Sequence, residues 1–150
     1  MQSYETKNVF VTSSVLSVPS ANSYTVFLPN MLKDVHRVDL LSATYNGVVT
    51  AGPVYLDVEE LRSPVLNMSA TANVASPSII QSTFAVLSGM TSQGTSLMRF
   101  TSGSHYPVVV NYPYPIQRVD RFTVRWTDNK GKSLDFTGES SFLLRVHTRF

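Results

Sequence analysis

The chain has 150 residues with Lys+Arg 12, Asp+Glu 10 and a net charge of +2, enough for one domain that buries roughly 70% of its unfolded surface without a cross-link or a metal. Cys 0 rules out disulfides, thiolate zinc sites and cysteine nucleophiles. Charged residues are only 15%, against about 25% in an average domain, so Ser, Thr, Asn and Gln must cover the surface, and weak self-repulsion suits a protein packed among close neighbours.

The predicted elements have period two almost throughout. In "KNVFVTSSV" (7–15), Val9 and Val11 point one way, Phe10 and Thr12 the other. "SYTVFLP" (23–29) puts Tyr24, Val26 and Leu28 on one face and halts at Pro29-Asn30. "MLKDVHRV" (31–38) has the spacing for one helical turn, and no window sustains a longer helix. "VHRVDLLSATY" (35–45) turns Val38 and Leu40 inward and ends before Asn46-Gly47. "PVYLDVEEL" (53–61) sets Val54, Leu56 and Val58 against Tyr55, Asp57 and Glu59.

Residues 62–78, rich in Ser, Ala and Asn, read as an exposed loop. "IIQSTFAVLSG" (79–89) places Ile80, Phe84 and Val86 on one side. Residues 89–118 read as irregular: Pro107, Pro113 and Pro115 exclude a central strand and leave room for a short edge strand at 107–111. In "RVDRFTVRWTDNK" (118–130), Asp120, Phe122, Val124 and Trp126 share one face and Arg121, Thr123 and Arg125 the other. "DNKGKSLDFTGES" (128–140) carries two bends, with Gly131 and Gly138 free to take positive φ and Leu134 and Phe136 continuing the inner face. "SSFLLRVHTRF" (140–150) closes with Phe142, Leu144 and Val146 inward, Arg145 and His147 outward.

About eight short strands with long crossings in one domain, 1–150, predict an all-β antiparallel sandwich. The long loops fit a single jelly roll better than an up-and-down barrel. An immunoglobulin-type sandwich fits less well, since the cysteine pair is missing and the Trp lies late.

Catalytic signatures are absent. Asp57, Glu59 and Glu60 are the best acid cluster, but glycosidase chemistry needs carboxylates facing each other across a cleft, and neighbours on one strand read as a solvated face. His36, His105 and His147 lack metal-site spacing. "SGMTSQGTS" (88–96) has no Lys-Ser/Thr as a phosphate loop would, and no Gly-x-Ser-x-Gly occurs. Asn67-Met68-Ser69 matches a glycosylation acceptor too short to carry weight. The expectation is a non-enzyme without metal or cofactor. Arg121, Arg125 and Arg145 form a candidate phosphate-contacting stripe, disfavoured because the aromatics alternate onto the opposite face. Tyr106, Tyr112 and Tyr114 in the proline-rich segment are candidates for a sugar-binding surface, a subunit contact or a clamp onto their own sheet. No apolar run reaches the ~18–20 residues of a membrane helix, and "MQSYETKNVF" has neither a basic leader nor an apolar block, so synthesis in the cytoplasm is expected.

Three stretches carry a resemblance: "VFVTSSVLSVPSANSYTVFLPNMLKDVHRVDLLSATYNG" (9–47), "YLDVEELRSP" (55–64) and "RVDRFTVRWTDNKGKSLDFTGESSFLLRV" (118–146). Together they resemble the single-jelly-roll capsid proteins, penton proteins among them, of large icosahedral double-stranded DNA viruses. Relatives often carry an Asp-Arg pair after the first strand, where this chain has Ser13, Ser14 and Val15. The resemblance implies a structural protein of the virion capsid, made in the host cytoplasm. It would form a homopentamer at each fivefold vertex, beside the major and minor capsid proteins and without direct nucleic-acid contact. A minor capsid cement protein and a carbohydrate-binding β-sandwich are the alternatives. For subunit contacts the candidates are Tyr106, Tyr112, Tyr114, Arg121, Arg125 and Arg145.

Overall fold

The computed structural model describes residues 4–14, 16–18, 20–47, 53–62, 67–69, 78–80, 83–88, 90–93, 97–103, 107–128 and 132–149. Its strands are β1 (Tyr4–Thr12), β2 (Ser23–Gly47), β3 (Val54–Val58), β4 (Asn67–Ser69), β5 (Ser78–Ile80), β6 (Ala85–Leu87), β7 (Thr91–Gln93), β8 (Leu97–Thr101), β9 (Val108–Asp128) and β10 (Phe136–Arg149). Among the described residues the only helical piece is a 3-10 turn, Glu59–Leu61. The fold is all-β and antiparallel, as the alternation predicts.

Two strands organise everything. β2 runs for 25 residues. Its first part lies beside β9, from Ser23↔Arg125 to Leu40↔Val108. Its later part has β10 on one side, from Val35↔Thr148 to Gly47↔Phe136, and β8 on the other, Ser42↔Thr101 to Asn46↔Leu97. β1 pairs with β10, β3 with both β9 and β6, and β7 with β8. β4 and β5 form a separate ribbon.

The sheet therefore folds over on itself along β2 and β9. One layer contains β1, β10, the later half of β2, the start of β9, β8 and β7; the other contains the first half of β2, the rest of β9, β3 and β6. Aromatic contacts cross between them, consistent with a β-sandwich: Trp126 of β9 meets Tyr45 of β2 at 5.8 Å and Phe142 of β10 at 6.4 Å between ring centroids. Phe136 stacks on Tyr45 and meets Trp126 edge-on.

The inward residues of the last two strands are buried as predicted: Phe122, Val124, Trp126, Leu134, Phe142, Leu144 and Val146. The core also encloses polar groups that are satisfied in place, as burial demands. Ser13 N–H donates to Ser140 O at 3.0 Å, and Ser13 Oγ accepts from Ser140 N–H at 2.9 Å. Tyr24 Oη lies 3.0 Å from Ser140 Oγ and accepts from Trp126 Nε1 at 3.4 Å.

Several expectations are corrected. Residues 31–38 form no helical turn; they belong to β2, where Asp34 takes a left-handed φ of 52° of the kind that Asp tolerates and bulges use. Pro29-Asn30 does not end the strand; it interrupts pairing with β9 between Phe27 and Leu32. Opposite that interruption β9 changes phase, so Val119 is buried and Asp120 is exposed, contrary to the face assigned to Asp120. Tyr55, placed outward by alternation, is buried between Val86 and Thr127 in an interior strand.

In β6 the inward pair is Ala85 and Leu87, and Val86 is half-buried, because Phe84 enters the core from just before the strand. Parts of both predicted irregular segments are paired: β4 falls within 62–78, while β7, β8 and the start of β9 fall within 89–118. Gly138 has no positive φ; a Cβ there would stand 2.9 Å from Asn46 Cβ, so close approach is what requires glycine. Gly131, Gly89, Gly94 and the side chains of Ile80, Asn67, Met68 and Ser69 lie outside the described residues.

Candidate assembly surface

The proline-rich segment shows how sequence makes a protrusion. Proline has no N–H to give a ladder, and in "NYPYPI" two prolines alternate with two tyrosines. β9 pairs with β2 on either side of them, at Asn111↔Arg37 and Ile116↔Val35, so Tyr112, Pro113, Tyr114 and Pro115 stand opposite His36 alone. The four residues bow out of the ladder as a knob. Before it, Val108–Asn111 has only β2 as a partner among the described residues, the edge position that the prolines predict.

The two tyrosines then diverge. Tyr112 packs against the core, and its hydroxyl donates to Leu61 O at 2.7 Å, so the knob is pinned to the 3-10 turn after β3. Burial pushes its phenol well above the usual tyrosine range. Tyr114 is 88% exposed. Of the tyrosines proposed for contact, Tyr112 is a clamp within the chain and Tyr114 is its exposed tip. Tyr106, with His105, lies outside the described residues.

The arginines do not form one stripe. Arg121 and Arg125 lie on the outer face of the β9 layer, Arg145 on the outer face of the β10 layer, at the two opposite surfaces of the sandwich. Arg121 stands 3.9 Å from Glu60 and is mostly exposed, a geometry of small energetic weight. Arg125 is in register with Ser23 and Asp57, Arg145 with Asn8 and Asp39.

In the acidic cluster Glu59 is exposed, as a solvated face requires, but Asp57 and Glu60 are anchored. Arg62 grips Asp57 through Nε at 3.2 Å and Nη2 at 3.0 Å, an arrangement that raises the guanidinium's affinity for its proton. Glu60 accepts from Thr123 N–H at 2.6 Å and Thr123 Oγ1 at 2.8 Å, tying the turn to β9. Among the described residues no three His, Asp or Glu side chains gather as metal ligands would, and no helix is long and apolar enough to cross a membrane.

A charged cluster that the sequence did not single out lies beside the knob. Asp39 is buried and shared: Arg37 Nε donates to Oδ1 at 2.8 Å, and His147 Nε2 lies 3.2 Å from Oδ2. His36 meets His147 edge-on at 6.1 Å. Burial first, then the charges of Arg149, His147 and Arg37, hold the His36 imidazole below the usual histidine range, against a backbone hydrogen bond at Asp34. With Asp39 already engaged by Arg37, the cluster is a structural hub joining β2 to β10.

Neither protein-family models nor curated proteins match this chain. Its surface therefore has to be interpreted from its own geometry: an uncharged proline-tyrosine knob pinned to the 3-10 turn after β3 through Tyr112.

Proposed function

We propose that this chain is a single-jelly-roll structural protein that assembles with copies of itself into the fivefold vertex plug of an icosahedral capsid. The observation that carries the jelly-roll part is the order of pairing. Counting the two halves of β2 separately and setting aside the edge strand β7 and the β4–β5 ribbon, the sandwich has eight strands. The first pairs with the last (β1 with β10) and the second with the seventh (first half of β2 with β9). The third pairs with the sixth (later half of β2 with β8) and the fourth with the fifth (β3 with β6). That is a long hairpin of four strand pairs, rolled until β10 meets the later half of β2 and β3 meets β9. This order of pairing supports a jelly roll, two interlocked Greek keys, an architecture used by viral capsid and lectin domains and by cupins.

The capsid part rests on the resemblance in the strands 9–47, 55–64 and 118–146, together with the surface. Weak charging and an exposed aromatic knob suit burial against neighbours. A fivefold vertex needs heterologous contacts that close on themselves, and five copies of one compact sandwich supply them. In this role the chain performs no chemistry, carries no cofactor and meets the surrounding shell proteins at its rim.

Native mass by light scattering over a wide concentration range tests the reading. Five copies of 16.6 kDa give about 83 kDa, which is the expected plateau. A stable dimer or trimer would move the assignment to a cement role, and 16.6 kDa at every concentration would overturn self-assembly into a ring.

A further inference from the structure

The homopentamer reading does not say which surfaces meet. The exposed large apolar side chains among the described residues are Phe10, Val18, Phe27, Val109 and Tyr114. Phe10 lies on β1 and Phe27 on β2, and among the described residues β1 pairs only with β10, and Ser23–Phe27 only with β9. Between these two strands runs an open groove of about 530 Å³ lined by Val9, Phe10, Leu28, Pro29 and Leu32, with Lys7, Asn8 and Asn30 at its margin. It continues into a smaller depression of about 220 Å³ that includes Lys33, Asp34 and Arg149.

The β1 wall of the groove and the strand that leads into the knob stand at opposite ends of one row, while the β2 wall lies beside β9, Leu32 facing Val119. Asn8 faces Arg145, Arg145 faces Asp39, and Asp39 faces Val109, so three strand spacings, roughly 14 Å at about 4.8 Å each, separate the β1 edge from the strand that leads into Tyr114. Their charges are complementary. Along the groove Lys7, Lys33 and Arg149 outnumber Glu5 and Asp34. The turn to which Tyr112 pins the knob carries Asp57, Glu59 and Glu60 around Arg62. Phe10 and Phe27 are 64% and 71% exposed. Phe10 in the groove and Tyr114 on the knob together offer about 300 Å² of aromatic surface at roughly 150 Å² each, nearly a fifth of the ~1,600 Å² that a stable interface buries.

We propose that Tyr114 of one copy seats in the groove between β1 and β2 of the next copy, a head-to-tail contact between identical chains that closes the ring. This rests on the homopentamer reading and fixes its interface. In the homopentamer reading the same knob and groove repeat from each copy to the next until the ring closes.

Because the chain has Cys 0, single cysteines report the contact cleanly. Asn30→Cys marks the groove and Pro113→Cys the knob, both at exposed positions that leave Tyr114 in place. With a short bis-maleimide, the proposal expects a covalent dimer when the two variants are mixed and none from either variant alone. The Asn30→Cys/Pro113→Cys double variant should give a ladder that stops at five, and adding Tyr114→Ala should cut the yield about tenfold or more, as loss of a central aromatic anchor does. Cross-linking within either single variant would overturn the contact. So would its absence in a sample whose scattering mass is about 83 kDa; the pentamer would then stand with its interface elsewhere. A ladder ending at another number would keep the contact and overturn five, and no cross-link from a monomeric sample would overturn both.

Discussion

Replacing Tyr112 by phenylalanine deletes one oxygen atom and tests whether the knob is held by its clamp. The Tyr112 hydroxyl donates to Leu61 O at 2.7 Å with the phenol largely enclosed. Phenylalanine keeps the ring packed against the core, so no cavity opens. The loss is a well-formed neutral hydrogen bond plus the cost of leaving a shielded carbonyl without its donor, about 1–2 kcal/mol. For a domain of this size that is about 3–7 °C in Tm. Tyr114→Phe is the internal control: its ring is solvated, and the expected change is within about 0.5 kcal/mol. Urea unfolding of both variants beside the parent, followed by Trp126 fluorescence, makes the comparison. If Tyr112→Phe unfolds within about 0.3 kcal/mol of the parent, the clamp is not what fixes the knob.

Other expectations concern the core and the bends. Trp126→Ala empties the site where both layers meet and should cost about 3–5 kcal/mol, leaving little folded chain by near-ultraviolet circular dichroism. Gly47→Ala should destabilise by about 2 kcal/mol or more, since its Cβ would stand 2.6 Å from Asp135 O. Gly103→Ala, with nothing within 4 Å, should be neutral or gain up to about 1 kcal/mol; thermal melts separate the two. For pH, the His36 imidazole is held below its unfolded value, so the unfolded chain takes up the proton first. Stability should therefore fall as pH drops from about 6.5 toward the lowered value and stay level above it. His36→Gln should flatten that part of a Tm-against-pH curve, and an unchanged slope would assign it to other groups.

Much of the sandwich is legible in the sequence because most strands have one buried and one solvated face, and alternation reports that directly. Phe142, Leu144 and Val146 needed nothing else. The misreadings at Pro29-Asn30 and Asp120 share a physical origin: they fall where the ladder breaks phase. Between Phe27 and Leu32 four residues of β2 stand against Asp120 alone, and an odd shift exchanges the faces. β8 escaped notice because "LMRFT" is short and sits among turn residues, although Met98 and Phe100 are both buried.

For the candidate surface, the knob could be anticipated from its prolines, but the partition between Tyr112 and Tyr114 depends on Leu61, far away in the chain. The groove had a signal that went unused. Phe10 and Phe27 are large apolar residues at positions where alternation points to solvent, and such residues call for a partner. The Arg37–Asp39–His147 cluster left no such trace, because its members meet only across strands.

The pairing of the first strand with the last has a consequence for biosynthesis. As the polypeptide leaves the ribosome, β1 emerges before residues 141–149, its strand neighbours among the described residues, which are translated more than a hundred residues later. Until then its hydrogen-bonding groups and Phe10 are open to any passing strand. Pairing of β1 is thus deferred until β10 has been made, and nascent chains stalled before β10 are the species in which a chaperone's help should matter most.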